Sequence, residues 1–308
     1  MKTTRLLFFL LVGLLLAGCS SRGVKRHSAT KTVPLHEFAL PVLPVAMGEE
    51  QQLDYLREHY WDRFRFADTL ALREADTLQL LRRFGYYIAL FADAPTHRAP
   101  IEELMRRASS SRPMLDLFSY LAEEVLHNPN SPLRNDELYI PVLEAQLAAP
   151  YYDEYERIIP EHDLQLARQN RLGEPANDFA YTLSDGRKGR LYGIEADYVL
   201  IFFNNPDCAM CKEIREAISA SPLIMRKIAD GSLKILALYP DEDLTAWHAY
   251  RNQIPARWIN AYDAGCVLRE TEAYALNAIP SLYLLDREKR VLLKDVTEVA
   301  AVERELMR

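Results

Sequence analysis

Between Tyr198 and Glu213 the chain reads YVLIFFNNPDCAMCKE: an apolar strand, a polar turn, then two cysteines with two residues between them where a helix begins. Tyr198 to Phe203 is six consecutive apolar residues rich in β-branched and aromatic types, which suits a central strand of a sheet covered on both faces. Asn204, Asn205 and Pro206 stop it. From Lys212 onward helix formers take over, with Ile214 and Ile218 four apart and charged residues mostly on the other side. Cys208 therefore falls at or just before the helix N-terminus. Unpaired N–H groups and the helix dipole favour an anion there, and the thiolate is the nucleophilic form of cysteine. The spacing also suits a disulfide that opens and closes with little backbone movement, so Cys208 and Cys211 are candidate redox residues.

Other uses of such a pair are weaker. Structural zinc needs four ligands, and the same half of the chain offers only Cys266 and His248, at no recognisable ligand spacing, so no metal is expected. Peroxide chemistry of the peroxiredoxin type places Pro seven and Thr three residues before the reactive cysteine, where this chain has Ile201 and Asn205. An inert disulfide is the remaining alternative.

At the N-terminus Lys2 and Arg5 precede an apolar run from Leu6 to Leu16, short for a membrane span but suited to a signal peptide. The following Leu16-Ala17-Gly18-Cys19 resembles the lipobox of bacterial lipoproteins, whose processing leaves an acylated cysteine as the new N-terminus. Residues 1–18 would then be leader, with Cys19 lipidated and the protein anchored in the bacterial cell envelope, facing the periplasm by default. Outside the cytoplasm a CxxC acts as an oxidant, or as a reductant only if electrons are supplied. Cys266, the odd cysteine left over, reads as a buried or incidental thiol.

After processing, about 290 residues imply about two domains. A hydrophobic fraction of 49% suffices for real cores, and the net charge of −7 gives no reason to expect nucleic acid as a partner. Residues 19–48, polar and Pro-containing, read as a tether. Residues 49–171 are helical throughout, with roughly four to six helices packed as a bundle-like all-α domain. Leu53, Leu56 and Tyr60 recur at helical spacing, as do Leu70, Leu78, Leu81, Tyr86 and Leu90. Asn135 is a candidate cap for a helix that Pro141 kinks or begins, and Tyr151, Tyr152 and Tyr155 open another that runs to about Gln169. The aromatic segment His59 to Phe64 reads as core rather than as a ligand cage.

Residues 172–308 alternate strands and helices: a hairpin around Asp185-Gly186, the strand at Tyr198, a helix, a second helix begun by Ser221-Pro222 and ended near Gly231, a strand at Leu233 to Tyr239, a helix from Leu244, and a short strand within Arg257 to Tyr262. Strands at Ser281 to Leu285 and Val291 to Lys294 and a last helix from about Glu298 follow. The pattern predicts an α/β fold, a mixed central sheet flanked by helices.

The apolar strand, Cys208-Ala209-Met210-Cys211-Lys212, and Ile279-Pro280 about seventy residues later, directly before a strand, together resemble the thioredoxin superfamily. The hairpin and the leader resemble its extracytoplasmic branch, the membrane-anchored thiol-disulfide oxidoreductases that include cytochrome c maturation reductases. The helical half, with its HYWDRF and SPLRNDELYIP segments, resembles a domain of unknown function that precedes such modules in lipoproteins of Bacteroidetes type. The resemblance implies a lipid-anchored thiol-disulfide oxidoreductase with no cofactor. Its partners would be exported protein thiols or disulfides and a membrane electron donor or acceptor. It further implies a cis peptide bond before Pro280 and a substrate chain that meets the backbone of Ile279. Two positions depart from the family: Asp207 stands where many members have Trp, and Phe202 where cytosolic thioredoxins keep a buried carboxylate. Both bear on rate and redox potential. The alternative is a binding or assembly lipoprotein in which the thioredoxin-like half is a scaffold.

Overall fold

The central strand and its two neighbours set the architecture. In the computed structural model, which describes residues 34–308 apart from Asn277 and the side chains of Arg73 and Glu74, β3 (Tyr198–Phe203) lies between β4 (Leu233–Tyr239), parallel to it, and β6 (Ser281–Leu285), antiparallel to it. With β1 (Ala180–Leu183), β2 (Lys188–Arg190), β5 (Ile259–Tyr262) and β7 (Val291–Val296), the sheet order is β2-β1-β5-β4-β3-β6-β7. Alternate residues of β3 feed two separate cores. Val199, Ile201 and Phe203 pack with Leu236, Leu238, Leu268 and Tyr283 on one face. Leu200 and Phe202 pack on the other with Leu282, Cys211, Ile214 and Ile218. A strand buried on both faces must be apolar at every position, which is why this one is legible as an unbroken run.

Helices α7 (Ala209–Ala220), α8 (Pro222–Ala229) and α11 (Val299–Leu306) cover the second face. Ser221 ends α7 and starts α8, its hydroxyl accepting the Ile224 N–H at 3.2 Å, and Pro222 occupies the first turn, where no N–H is needed. Helix α9 (Leu244–Tyr250) precedes β5, and α10 (Val267–Thr271), which the sequence pattern did not suggest, follows it.

The N-terminal half is all α: α1 (Glu49–His59), α2 (Thr77–Ala89), α3 (Ala99–Ala108), α4 (Arg112–Ala122), α5 (Asp136–Ala148) and α6 (Ile158–Ala167). Asn135 caps α5 by accepting the Leu138 N–H, and Pro141 lies inside that helix rather than at its start. Tyr151 to Arg157 is turn, not helix. The Asp153 carboxylate accepts the N–H groups of Tyr155 and Glu156, so α6 begins only at Ile158. On α2 the buried face is Leu80, Phe84, Tyr87 and Ile88, whereas Leu78 and Tyr86 are exposed, as is Leu70 before it. The HYWDRF segment is core: Trp61 meets Phe118 edge-on at 5.1 Å and Phe64 at 5.5 Å, while His59 pairs with Asp62 at the surface.

One boundary moves. The expected tether of residues 19–48 does not extend through its last part, because Leu35 and Phe38 are buried in the helical core. Phe38 packs on Trp61 at 5.2 Å with the Arg83 guanidinium 4.6 Å above its ring, so the helical unit holds the chain from about Pro34. The leader and Cys19 lie outside the described residues. Phe38→Ala should cost about 3 kcal/mol in urea unfolding, the usual loss for a buried phenylalanine. A true linker position would shift stability by less than about 0.5 kcal/mol.

Candidate active site

The polar turn after β3 is fixed from inside. Asn204 is buried, and its side-chain amide donates to the carbonyls of Phe202 (3.0 Å) and Leu238 (3.3 Å), tying the ends of β3 and β4 together. Asn205 donates to Asp241 at 2.6 Å. The chain emerging from this turn enters α7 with Cys208 as the residue that caps it: Cys208 Sγ accepts the Cys211 N–H at 3.0 Å. That N–H is one of the donors a helix start leaves unpaired, so it is available to a thiolate at the same place.

Cys208 and Cys211 are joined as a disulfide, with Cα atoms 5.2 Å apart. Cys211 is fully buried and belongs to the core under α7; Cys208 is partly exposed, with Met210 beside it about half exposed. The buried partner is shielded, and the outer sulfur is the one that solvent and another chain can reach. Ile279 and Pro280 come to the same place. The bond between them is cis, and the Ile279 carbonyl oxygen lies 3.7 Å from Cys208 Sγ. All four sequence-derived site residues of this half are thus brought together.

The departures have physical content. Phe202 is fully buried and meets Trp258 edge-on, so an aromatic contact fills the position where a buried carboxylate would sit. Asp207 is exposed at the turn. Glu213 is exposed on α7. Cys266 remains a free, buried thiol at the start of α10, and burial pushes its ionisation up, so it is not poised as a nucleophile. His248 is exposed beside Arg251, and among the described residues no group of three or more His, Cys, Asp or Glu side chains could hold a metal ion.

A further set of residues, not foreseen from sequence, connects this loop to the helical half. Ser281, the residue after Pro280, donates to the Asp295 carboxylate at 2.6 Å, and Asp295 is paired at 3.0 Å with Arg134 of the loop before α5. Next to it, Lys294 is paired with Asp136 at 2.6 Å and donates to the carbonyls of Ala167 and Gln169 at the end of α6. Asp295 has a positive φ of 52°, a sign that its position is over-determined by these partners.

Comparison with solved structures gives an extensive match. A thioredoxin-like protein from Bacteroides caccae is 39% identical, with a TM-score of 0.82 over 88% of this chain and 98% of that one. The chain belongs to the thioredoxin-like proteins. The C-terminal domain of an uncharacterized protein from Bacteroides fragilis is 47% identical over 45% of this chain and 99% of its own, with a TM-score of 0.44. The thioredoxin domain of a thiol-disulfide oxidoreductase from Bacteroides vulgatus is 19% identical over 44% of this chain and 98% of its own, with a TM-score of 0.38. Residues 18–170 match the family described as a domain of unknown function, DUF5106. Comparison with curated proteins gives no match.

Burial raises the Asp295 carboxyl from its ordinary 3.8 to about 6, against the opposing pull of Arg134 and Ser281. A carboxyl with a raised folded pKa favours the fold most below its unfolded value, and that contribution is lost as pH rises through about 6. Asp295→Asn, which keeps the neutral shape but loses the charge opposite Arg134, should flatten this pH dependence, so that its stability relative to the parent rises by up to about 3 kcal/mol from pH 4 to pH 7. Urea unfolding across that range checks it; parallel pH profiles for the two proteins would remove Asp295 from the titration.

Proposed function

We propose that the protein is a lipid-anchored thiol-disulfide oxidoreductase of the bacterial cell envelope, acting on exported proteins through Cys208 and Cys211. The observation that carries the reading is the pairing of a partly exposed sulfur at a helix start with a buried one, beside the carbonyl of Ile279. In the reducing direction the Cys208 thiolate attacks a substrate disulfide. A mixed disulfide forms, and the first substrate sulfur leaves as a thiolate. Cys211 then loses its proton and attacks Cys208 Sγ. The second substrate thiolate is released as the Cys208–Cys211 bond closes, and two electrons have passed to the substrate. Starting from the disulfide, the same steps in reverse oxidise a dithiol. With Phe202 in place of an internal carboxylate, the Cys211 proton goes to the departing substrate thiolate or to solvent. A membrane donor or acceptor would reset the pair.

An extended substrate segment would meet the backbone of Ile279, whose carbonyl lies next to Cys208 Sγ. Acylation at Cys19 would supply the membrane attachment. Among the described residues no helix is long and apolar enough to cross a membrane.

Two experiments test this. Cys208→Ser should lower disulfide exchange on the order of 10³-fold or more, whereas Cys211→Ser should leave the attack intact and accumulate a substrate mixed disulfide, seen by mass and on a non-reducing gel. Full biological activity in the protein lacking both thiols would instead favour a binding or assembly module. Cys19→Ser should move the protein from the membrane to the soluble fraction of cells, and membrane retention would contradict acylation at that residue.

A further inference from the structure

Ile279 lines a cavity of about 200 Å³ whose wall is shared between the two halves of the chain. Leu166 of α6 contributes from the helical domain, and Tyr274, Leu276 and Ile279 from the loop that carries the cis proline. Leu166 is buried, stands outside the helical core that takes in its neighbours Leu164 and Ala167, and lines this cavity. The rim is held by polar contacts: His162 of α6 is 2.8 Å from Glu272, and Asp241 is held by the Asn205 amide. Asn205 belongs to the turn that delivers Cys208, and the Ile279 carbonyl lies 3.7 Å from Cys208 Sγ. The cavity and the redox site therefore share Ile279, and Asn205 ties Asp241 of the rim to the turn that delivers Cys208.

We propose that this cavity is a specificity pocket for one apolar side chain of an extended protein substrate, from a residue within two positions of the cysteine that exchanges with Cys208. The proposal rests on the redox reading above and deepens it by giving the helical domain a role in substrate choice. A segment lying along Ile279 runs past the cavity mouth, and successive side chains of an extended chain point to opposite sides, so one of them is directed inward. An apolar floor under a rim of charges already engaged with one another takes an aliphatic or aromatic group in preference to a charged one. The helical domain acts by supplying Leu166 and His162 to this wall.

The test uses the full-length protein without its lipid and two peptide disulfides that differ only in the residues within two positions of the cysteine, all leucine in one and all glycine in the other. Glutathione disulfide, which carries no side chain for the pocket, reports the redox chemistry alone. The wild type should prefer the leucine peptide by roughly 10- to 100-fold in kcat/KM, the range that burial of one such side chain supplies. Ala275→Phe, which fills the cavity, and Leu166→Ser, which removes the apolar wall of the helical domain, should each bring the ratio down toward one. A circular dichroism melt establishes which variants are folded, and either one suffices. A ratio near one in the wild type, with glutathione exchange intact, would overturn the pocket and leave the oxidoreductase standing. A preference that survives in a folded variant would also overturn it. If the wild type exchanges with neither peptide nor glutathione, the redox reading falls and takes the pocket with it.

Discussion

Cys208 Sγ against the Cys211 N–H, at the first turn of α7, is the contact on which the rest of the site depends. A sulfur can hold that place only if the strand before it ends at a fixed point and the helix after it cannot shift. The first condition comes from β3, buried on both faces and pinned at its end by Asn204. The second comes from Ile214 and Ile218, which hold α7 on the sheet together with the buried Cys211. The hydrophobic effect fixes the frame, and one backbone donor left over at a helix start meets the sulfur. A thiolate at Cys208 would be favoured by where the helix begins.

The second half of the site arrives by a long route. Pro280 and Ile279 precede β6, which pairs with β3, so the two parts of the site sit at the ends of neighbouring strands. The helical domain reaches the same strand through Arg134, Asp295 and Ser281, and the same loop through His162 and Glu272. These contacts have different physical standing. The His162 pair is half exposed and contributes little to stability. The Asp295 cluster is largely shielded from solvent, where an unpartnered charge would be costly, and it commits Arg134 to one geometry. The helical half is thereby in contact with the strand and the loop that flank the disulfide.

What could be read from the sequence follows from what was local. β3 and β4 were visible as apolar runs because both faces are covered, and the capped starts at Asn135 and Ser221 because the capping residue sits next to the helix it serves. The pairing of Cys208-Cys211 with Ile279-Pro280 was found through family resemblance; no rule of spacing would have joined residues 71 positions apart. Helix α10 was missed because its ends are set by Cys266 and Glu272, both non-glycine residues in left-handed conformation, which leave no compositional mark. The register of α2 was misjudged because exposed Leu78 and Tyr86 keep helical spacing as faithfully as buried Leu80 and Phe84. Leu35 and Phe38 looked like linker because two apolar residues in a polar stretch carry no periodicity. The contact between Arg134 and Asp295 spans 161 positions and had no local signal at all.

The most direct measurement is an equilibrium redox titration of the protein lacking Cys19, with Cys208 and Cys211 followed by mass after alkylation in glutathione and dithiothreitol buffers. A thiol-disulfide oxidoreductase predicts a reversible two-electron couple between about −270 and −120 mV, its position indicating reductant or oxidant. A pair that never oxidises, or a disulfide that yields only to harsh reduction, would contradict the catalytic role and leave the thioredoxin-like half as a scaffold.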